Sequence, residues 1–160
     1  TQALITALSH LLRYSLMSND EQVPLAREVR IVDEYYSIYH VRFGDRVKMV
    51  WRISDSLDLT ETMVPSFILQ PIVENAFKHG VSYSKPSFIH MRIDYADGKV
   101  VSTISNSLHT PQAEKHNAGI GLENVRKRLS LIYGPKNYSL DIGETNETYT
   151  VKLVIPTLHA

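Results

Sequence analysis

Two alternating runs, "FIHMRIDY" (Phe88–Tyr95) and "KVVSTIS" (Lys99–Ser105), stand on either side of Ala96-Asp97-Gly98. Asp-Gly accepts the positive φ angles of a tight reversal, so the pattern predicts a β-hairpin and obliges the rest of the chain to build around an antiparallel pair. Upstream, "RVKMVWRI" sets Val47, Met49, Trp51 and Ile53 against Arg46, Lys48 and Arg52, the alternation of a half-buried strand. Two more strands are expected near "YSLDIG" and "TYTVKLVIP" at the end of the chain.

Helical spacing fills the intervals. Residues 2–17 place Leu4, Leu8, Leu11, Leu12 and Leu16 three and four apart. After "SNDEQ", the residues Leu25, Val29, Val32, Tyr36, Tyr39 and Phe43 form a second stripe, with Gly44 where a helix would stop. Such a helix either covers its own domain's sheet or packs against a partner in a dimer. "LQPIVENAFKHG" (Leu69–Gly80) is a third helix, starting near Pro65 or Pro71 and ended by Gly80. "GIGLENVRKRLSLIY" is a fourth, with Leu122, Val125, Leu129 and Ile132 on one face and Gly134-Pro135 as its stop. Between hairpin and fourth helix, residues 107–118 are polar and aperiodic, a loop longer than most inside compact domains. The expected fold is an α+β two-layer sandwich: a mixed, largely antiparallel sheet with helices on one face, preceded by an N-terminal helical segment.

Bulk properties narrow the function. Lys plus Arg and Asp plus Glu both total 17, so there is no basic excess of the kind that nucleic-acid binding favours. Cysteine is absent, which excludes disulfides, thiolate metal sites and cysteine nucleophiles and fits a reducing compartment. No apolar run reaches the roughly 18 residues of a membrane span. The chain begins without Met in helix-like sequence, and reads as a piece of something longer.

Asn75, Lys78 and His79 lie at i, i+3 and i+4, on one side of the third helix. They read either as a solvated polar stripe or as an oxygen ligand for Mg²⁺ (Asn75) with two groups beside phosphates, since Mg²⁺ needs few protein oxygens when phosphates supply the rest. Gly119 and Gly121 flank Ile120 where the long loop meets the fourth helix. Glycine there is either an ordinary turn or an approach for an anion to unpaired N–H groups at the helix N-terminus. The two signals in this order point together to a phosphate pocket.

On these residues, "LQPIVENAFKHG" followed by "GIGLENVRKRL" 44 residues from Asn75 to Gly119, with "LSHLLRYSL" and "VPL" upstream, the chain resembles the ATP-binding region of sensor histidine kinases. The likeness covers essentially the whole chain. It implies the Bergerat-type ATP-binding sandwich shared with certain chaperones, topoisomerases and mismatch-repair ATPases. It implies ATP and Mg²⁺ as cofactors, a homodimeric full-length protein, a response regulator as protein partner, and a cytoplasmic domain of a membrane-anchored protein. Residues 1–44 would be the tail of the dimerisation and phosphoacceptor region, and 45–160 the catalytic domain. Asn75 would bind Mg²⁺, with Lys78 and His79 near the phosphates. Gly119 and Gly121 would form the hinge and phosphate-contacting turn, Ile120 and Leu122 would complete the ATP-binding set, and 107–118 would be the lid.

Three departures from the family pattern stand out. The family's Asp-Asn-Gly, whose Asp reads the adenine amine, is matched here by Ser105-Asn106-Ser107, so Ser105, a water it holds, or Asn106 would have to serve. Pro71 stands where ATP-hydrolysing relatives carry a glutamate base, which disfavours an ATPase; adjacent Glu74 projects about 100° away from Asn75. The acceptor histidine lies upstream in this family, so no catalytic acceptor is expected in the fragment and it should not phosphorylate itself; His10 lacks the acceptor motif. His40, His90, His109, His116 and His159 show no metal-ligand spacing, and His109 and His116 read as solvated. Arg126-Lys127-Arg128 reads as a solvated helix face. The alternative to a kinase is a catalytically degraded nucleotide-binding or scaffolding domain that signals through helix packing.

Overall fold

The computed structural model describes residues 2, 4, 5, 8, 22–109 and 119–159. Residues 2, 4, 5 and 8 are helical; the rest of the first predicted helix, with His10, lies outside the described residues. In order along the chain come β1 (Gln22–Pro24), α1 (Leu25–Phe43), a 3₁₀ turn (Gly44–Arg46), β2 (Val47–Ile53), β3 (Thr62–Pro65) and α2 (Gln70–Gly80). Then follow β4 (Ser87–Ala96), β5 (Lys99–Ser107), α3 (Gly119–Tyr133), β6 (Ser139–Glu144), β7 (Thr148–Pro156) and β8 (Leu158–His159).

The expected hairpin is β4–β5, closed by the Ala96–Lys99 pair with Asp97 at φ 51° and Gly98 at φ 73°. Two positive φ angles in a two-residue loop match the right-handed twist of the strands, which is why Asp-Gly sits there. The main sheet has the order β2-β4-β5-β7-β6, antiparallel except where β2 runs parallel to β4. The mixed sheet expected from the sequence is the one that forms. Its alternation puts Ile89, Met91 and Ile93 of β4, Val100 and Ile104 of β5, and Val151, Leu153 and Ile155 of β7 into one core under the helices.

Helix α2 lies on β5 and β4 with α1 and α3 as neighbours. Pro71 is in its first turn, where a missing N–H costs nothing. Ile72, Val73, Ala76 and Phe77 are buried, and burial of each large apolar side chain contributes about 1.5–3 kcal/mol. Of the α3 stripe, Leu122, Val125 and Leu129 are buried while Ile132 is only half-buried; Gly134, at φ 81°, follows the helix.

One feature departs from expectation, and one resolves an open alternative. A small sheet of order β1-β3-β8 joins Gln22–Pro24, Thr62–Pro65 and Leu158–His159; strands of two to four residues carry too little period to be read from sequence. Helix α1 packs inward: Leu25 and Val32 belong to the same core as the sheet, and Tyr39 stacks on Phe77 with ring centroids 4.3 Å apart. Helix α1 therefore covers the sheet of residues 45–160.

Candidate functional site

The face of α2 divides in three. Ile72, Val73, Ala76 and Gly80 turn into the core, and Gln70, Glu74 and Phe77, one turn apart, meet α1 through Tyr35 and Tyr39. Asn75 and His79 occupy the remaining side, both half-buried, whereas Lys78 is exposed. The expected trio therefore separates into a sheltered pair and a solvent-facing cation beside it.

The Asn75 amide lies beside the Tyr149 hydroxyl of β7: burial and Glu144 raise the Tyr149 pKa, while the Asn75 side chain and Arg126 of α3 pull it down. The Asn75 side chain carries a carbonyl oxygen that can serve as an acceptor or cation ligand. The Nε2 of His79 is buried and meets no hydrogen-bond partner among the described residues. Burial, then the charge of Lys78, lowers the His79 pKa, so at neutral pH the ring is the uncharged imidazole. An orphaned ring nitrogen beside an exposed lysine suits an incoming anion, which would supply both the partner and the countercharge.

The register of β5 puts Ser105 and Asn106 on opposite faces of the sheet. Ser105 pairs with Thr150 on the sheet face away from the helices, their hydroxyls 2.9 Å apart. Asn106, one residue on, is paired with Ile89 and Tyr149 on the helix-covered face and is 1% exposed. Because strand side chains alternate, the two cannot exchange roles without a register slip. Ser105 lies on the back face, and Asn106 is the one beside α2. It lies directly under Gly80, where an added Cβ would come 2.7 Å from its own Cβ. Its Nδ2 donates to the Ser107 carbonyl at 2.8 Å, and Ser107 Oγ donates to the Gly80 carbonyl at 2.7 Å. Gly80 is thus the last helical residue, required by close approach and not by its φ.

Helix α3 begins at Gly119, so Gly119, Ile120, Gly121 and Leu122 form its first turn. Leu122 is buried. Among the described residues, a Cβ added to Gly121 would meet nothing within 4 Å, so no contact with them demands glycine there. Residues 110–118 of the expected lid, with His116, lie outside the described residues, and Ser107 belongs to β5. His109, read from sequence as solvated, hydrogen-bonds Ser87 Oγ through Nε2 at 3.0 Å. Arg128 is half-buried and directed at Ser66 before α2, so the basic run is not uniformly solvated.

Glu28 carries no motif in the sequence, yet it is a buried polar group of α1. It is 0% exposed in α1 and accepts the Ile68 N–H at 2.8 Å, next to Phe67 at φ 65°. Its position in the buried stripe between Leu25 and Val32 was the available signal.

A model of the histidine kinase family matches residues 1–47. The sensor histidine kinase YpdA of Escherichia coli (strain K12) is 30% identical over 142 residues, covering 82% of this chain and 25% of its own length. The sensor histidine kinase YesM of Bacillus subtilis (strain 168) is 30% identical over 161 residues, covering 96% of this chain and 27% of its own. The chain spans about a quarter of the length of these relatives. Among solved structures, full-length ShkA in complex with AMPPNP superposes with a TM-score of 0.63 at 20% identity, covering 99% of this chain and 36% of that one. Histidine kinase ThkA in complex with the response regulator protein TrrA gives 0.61 at 18% identity, covering 98% and 48%. The fold is that of histidine kinase catalytic domains. The chain belongs to the sensor histidine kinases.

Proposed function

We propose that this chain is the ATP-binding catalytic region of a sensor histidine kinase, which transfers the γ-phosphoryl group of ATP to a histidine outside residues 1–160. The observation that carries the reading is the meeting of α2, β5 and β7: Asn75 lies beside Tyr149, His79 holds a buried ring nitrogen with no partner among the described residues, and Asn106 lies under Gly80. Asn75 would give its carbonyl oxygen to Mg²⁺, and Lys78 and His79 would meet phosphate oxygens. Mg²⁺, when bound, neutralises charge on the phosphates during transfer. Asn106 would accept from the adenine amine in place of an aspartate; one of its N–H groups is already given to Ser107, which leaves the carbonyl oxygen for the base. The open space at Gly121 would admit phosphate to the first-turn N–H groups of α3.

Little covalent chemistry falls to the protein in such a reaction, so positioning and charge neutralisation are what these residues supply. A response regulator would take the phosphoryl group in turn, as the family resemblance and the ThkA–TrrA complex support. The full-length protein would be a membrane-anchored homodimer with this region in the cytoplasm. The dimerising segment would end before β1, since α1 shares the catalytic core.

The test is labelling of the full-length protein with γ-labelled ATP. Acid-labile, base-stable phosphate on a histidine upstream of this chain, lost in Asn75→Ala, is the expected result. A parent protein that never labels while its nucleotide affinity is intact would favour the scaffolding alternative.

A further inference from the structure

Glu74 adjoins Asn75 yet is turned away from it, toward α1. Tyr35 Oη donates to Glu74 Oε2 at 3.2 Å and accepts from Gln70 Nε2 at 3.3 Å, so one hydroxyl of α1 spans a full turn of α2. The Tyr35 and Tyr39 rings both stack on Phe77, with centroids 6.4 Å and 4.3 Å away. Gln70, Glu74 and Phe77 together form the stripe by which α1 holds the rotation of α2 about its axis. Asn75 follows Glu74 by about 100°, so any rotation of α2 moves the Asn75 carbonyl through an arc.

Building on the kinase reading above, we infer that Tyr35 is a positioning residue for the Mg²⁺-binding side of α2, acting through Glu74 rather than by touching nucleotide or metal. The packing of Tyr39 on Phe77 fixes the separation of the helices, and the directional bonds of Tyr35 fix their relative rotation. Burial, then the Glu74 charge, holds the Tyr35 pKa up at about 12, so the phenol stays a donor over the whole working pH range. The acceptor at position 74 is what matters; its negative charge is not, because the side chain is aimed at α1.

The test measures affinity for AMPPNP with and without Mg²⁺, in this chain and its variants, with a thermal melt as the folding control. Tyr35→Phe keeps the ring and removes the hydroxyl. It should reduce the Mg²⁺-dependent gain in affinity by about three- to tenfold and leave the Mg²⁺-free affinity within twofold, the scale of one surface hydrogen bond. Glu74→Ala should lose as much, the double variant no more, and Glu74→Gln, which keeps an acceptor for Tyr35, should stay within twofold of wild type. A full Mg²⁺ gain in Tyr35→Phe overturns the inference. So does a Glu74→Gln variant as weak as Glu74→Ala, which would make the carboxylate an electrostatic partner of the cation. A wild-type chain that binds no AMPPNP at all would instead overturn the kinase reading on which the inference rests.

Discussion

Replacing Gly80 by alanine would ordinarily favour a helix by up to about 1 kcal/mol. Here the sign should reverse. The new Cβ would come 2.7 Å from the Asn106 Cβ, 2.9 Å from Nδ2 and 3.1 Å from Cγ, and Asn106 is 1% exposed with its amide tied to Ser107. The Asn106 Cβ is fixed to the strand backbone, so rotating its side chain relieves only the outer contacts. Overpacking of this kind costs about 1–3 kcal/mol. If α2 retreats instead, the 2.7 Å bond from Ser107 Oγ to the Gly80 carbonyl is stretched, another loss of about 1 kcal/mol. Set against the helix preference, Gly80→Ala should destabilise by about 1–2 kcal/mol and lower Tm by roughly 2–8 °C for a domain of this size. The assay is thermal and urea unfolding of Gly80→Ala in two backgrounds, wild type and Asn106→Gly. In the second the clash is removed, so the same substitution should become neutral or mildly stabilising. A Gly80→Ala variant as stable as wild type, or an equal cost in both backgrounds, would refute the close-approach argument.

Glu28→Ala should cost about 2–4 kcal/mol by urea unfolding because the Ile68 N–H loses its acceptor in a dry site, whereas Glu28→Gln, which keeps one, should cost less than half as much. Tyr39→Ala removes the ring stacked on Phe77 and should cost about 2–3 kcal/mol; an effect below about 0.5 kcal/mol would mean that α1 does not share the core. His79 has a folded-state pKa below its ordinary value of 6.5, so the unfolded chain takes up the proton first as pH falls. Its stabilising contribution is complete above pH 6.5 and declines below it, so urea unfolding should show stability falling from pH 6.5 downward, and His79→Asn should flatten that slope.

Elements with a long, consistent period were legible in the sequence. The Asp97-Gly98 hairpin, the alternation of β2 and the apolar faces of α2 and α3 each repeat one signal over many residues, and each formed where expected. Strands β1, β3 and β8 were not legible, because two to four residues define no period and form only when distant segments meet. The site was half legible. Asn75 and His79 follow from helical spacing, but Lys78, at the edge of the same stripe, faces solvent because α1 and the sheet shelter only part of it. Which of Ser105 and Asn106 faces α2 depends on strand parity, visible only once Ile104 is known to face the core. Glu28 is not legible as a partner of Ile68, because a charged residue within an apolar stripe reads as an interruption, whereas its burial is what lets it hold the Ile68 N–H.

The most direct measurement is titration calorimetry of this chain with AMPPNP, with and without Mg²⁺, for wild type, Asn75→Ala, Ser105→Ala and Asn106→Ala. Binding strengthened by Mg²⁺, with that strengthening lost in Asn75→Ala, affinity reduced in Asn106→Ala and Ser105→Ala indistinguishable from wild type, is the expected result. Binding that ignores Mg²⁺ and Asn75, or that depends on Ser105 and not Asn106, would contradict the site described.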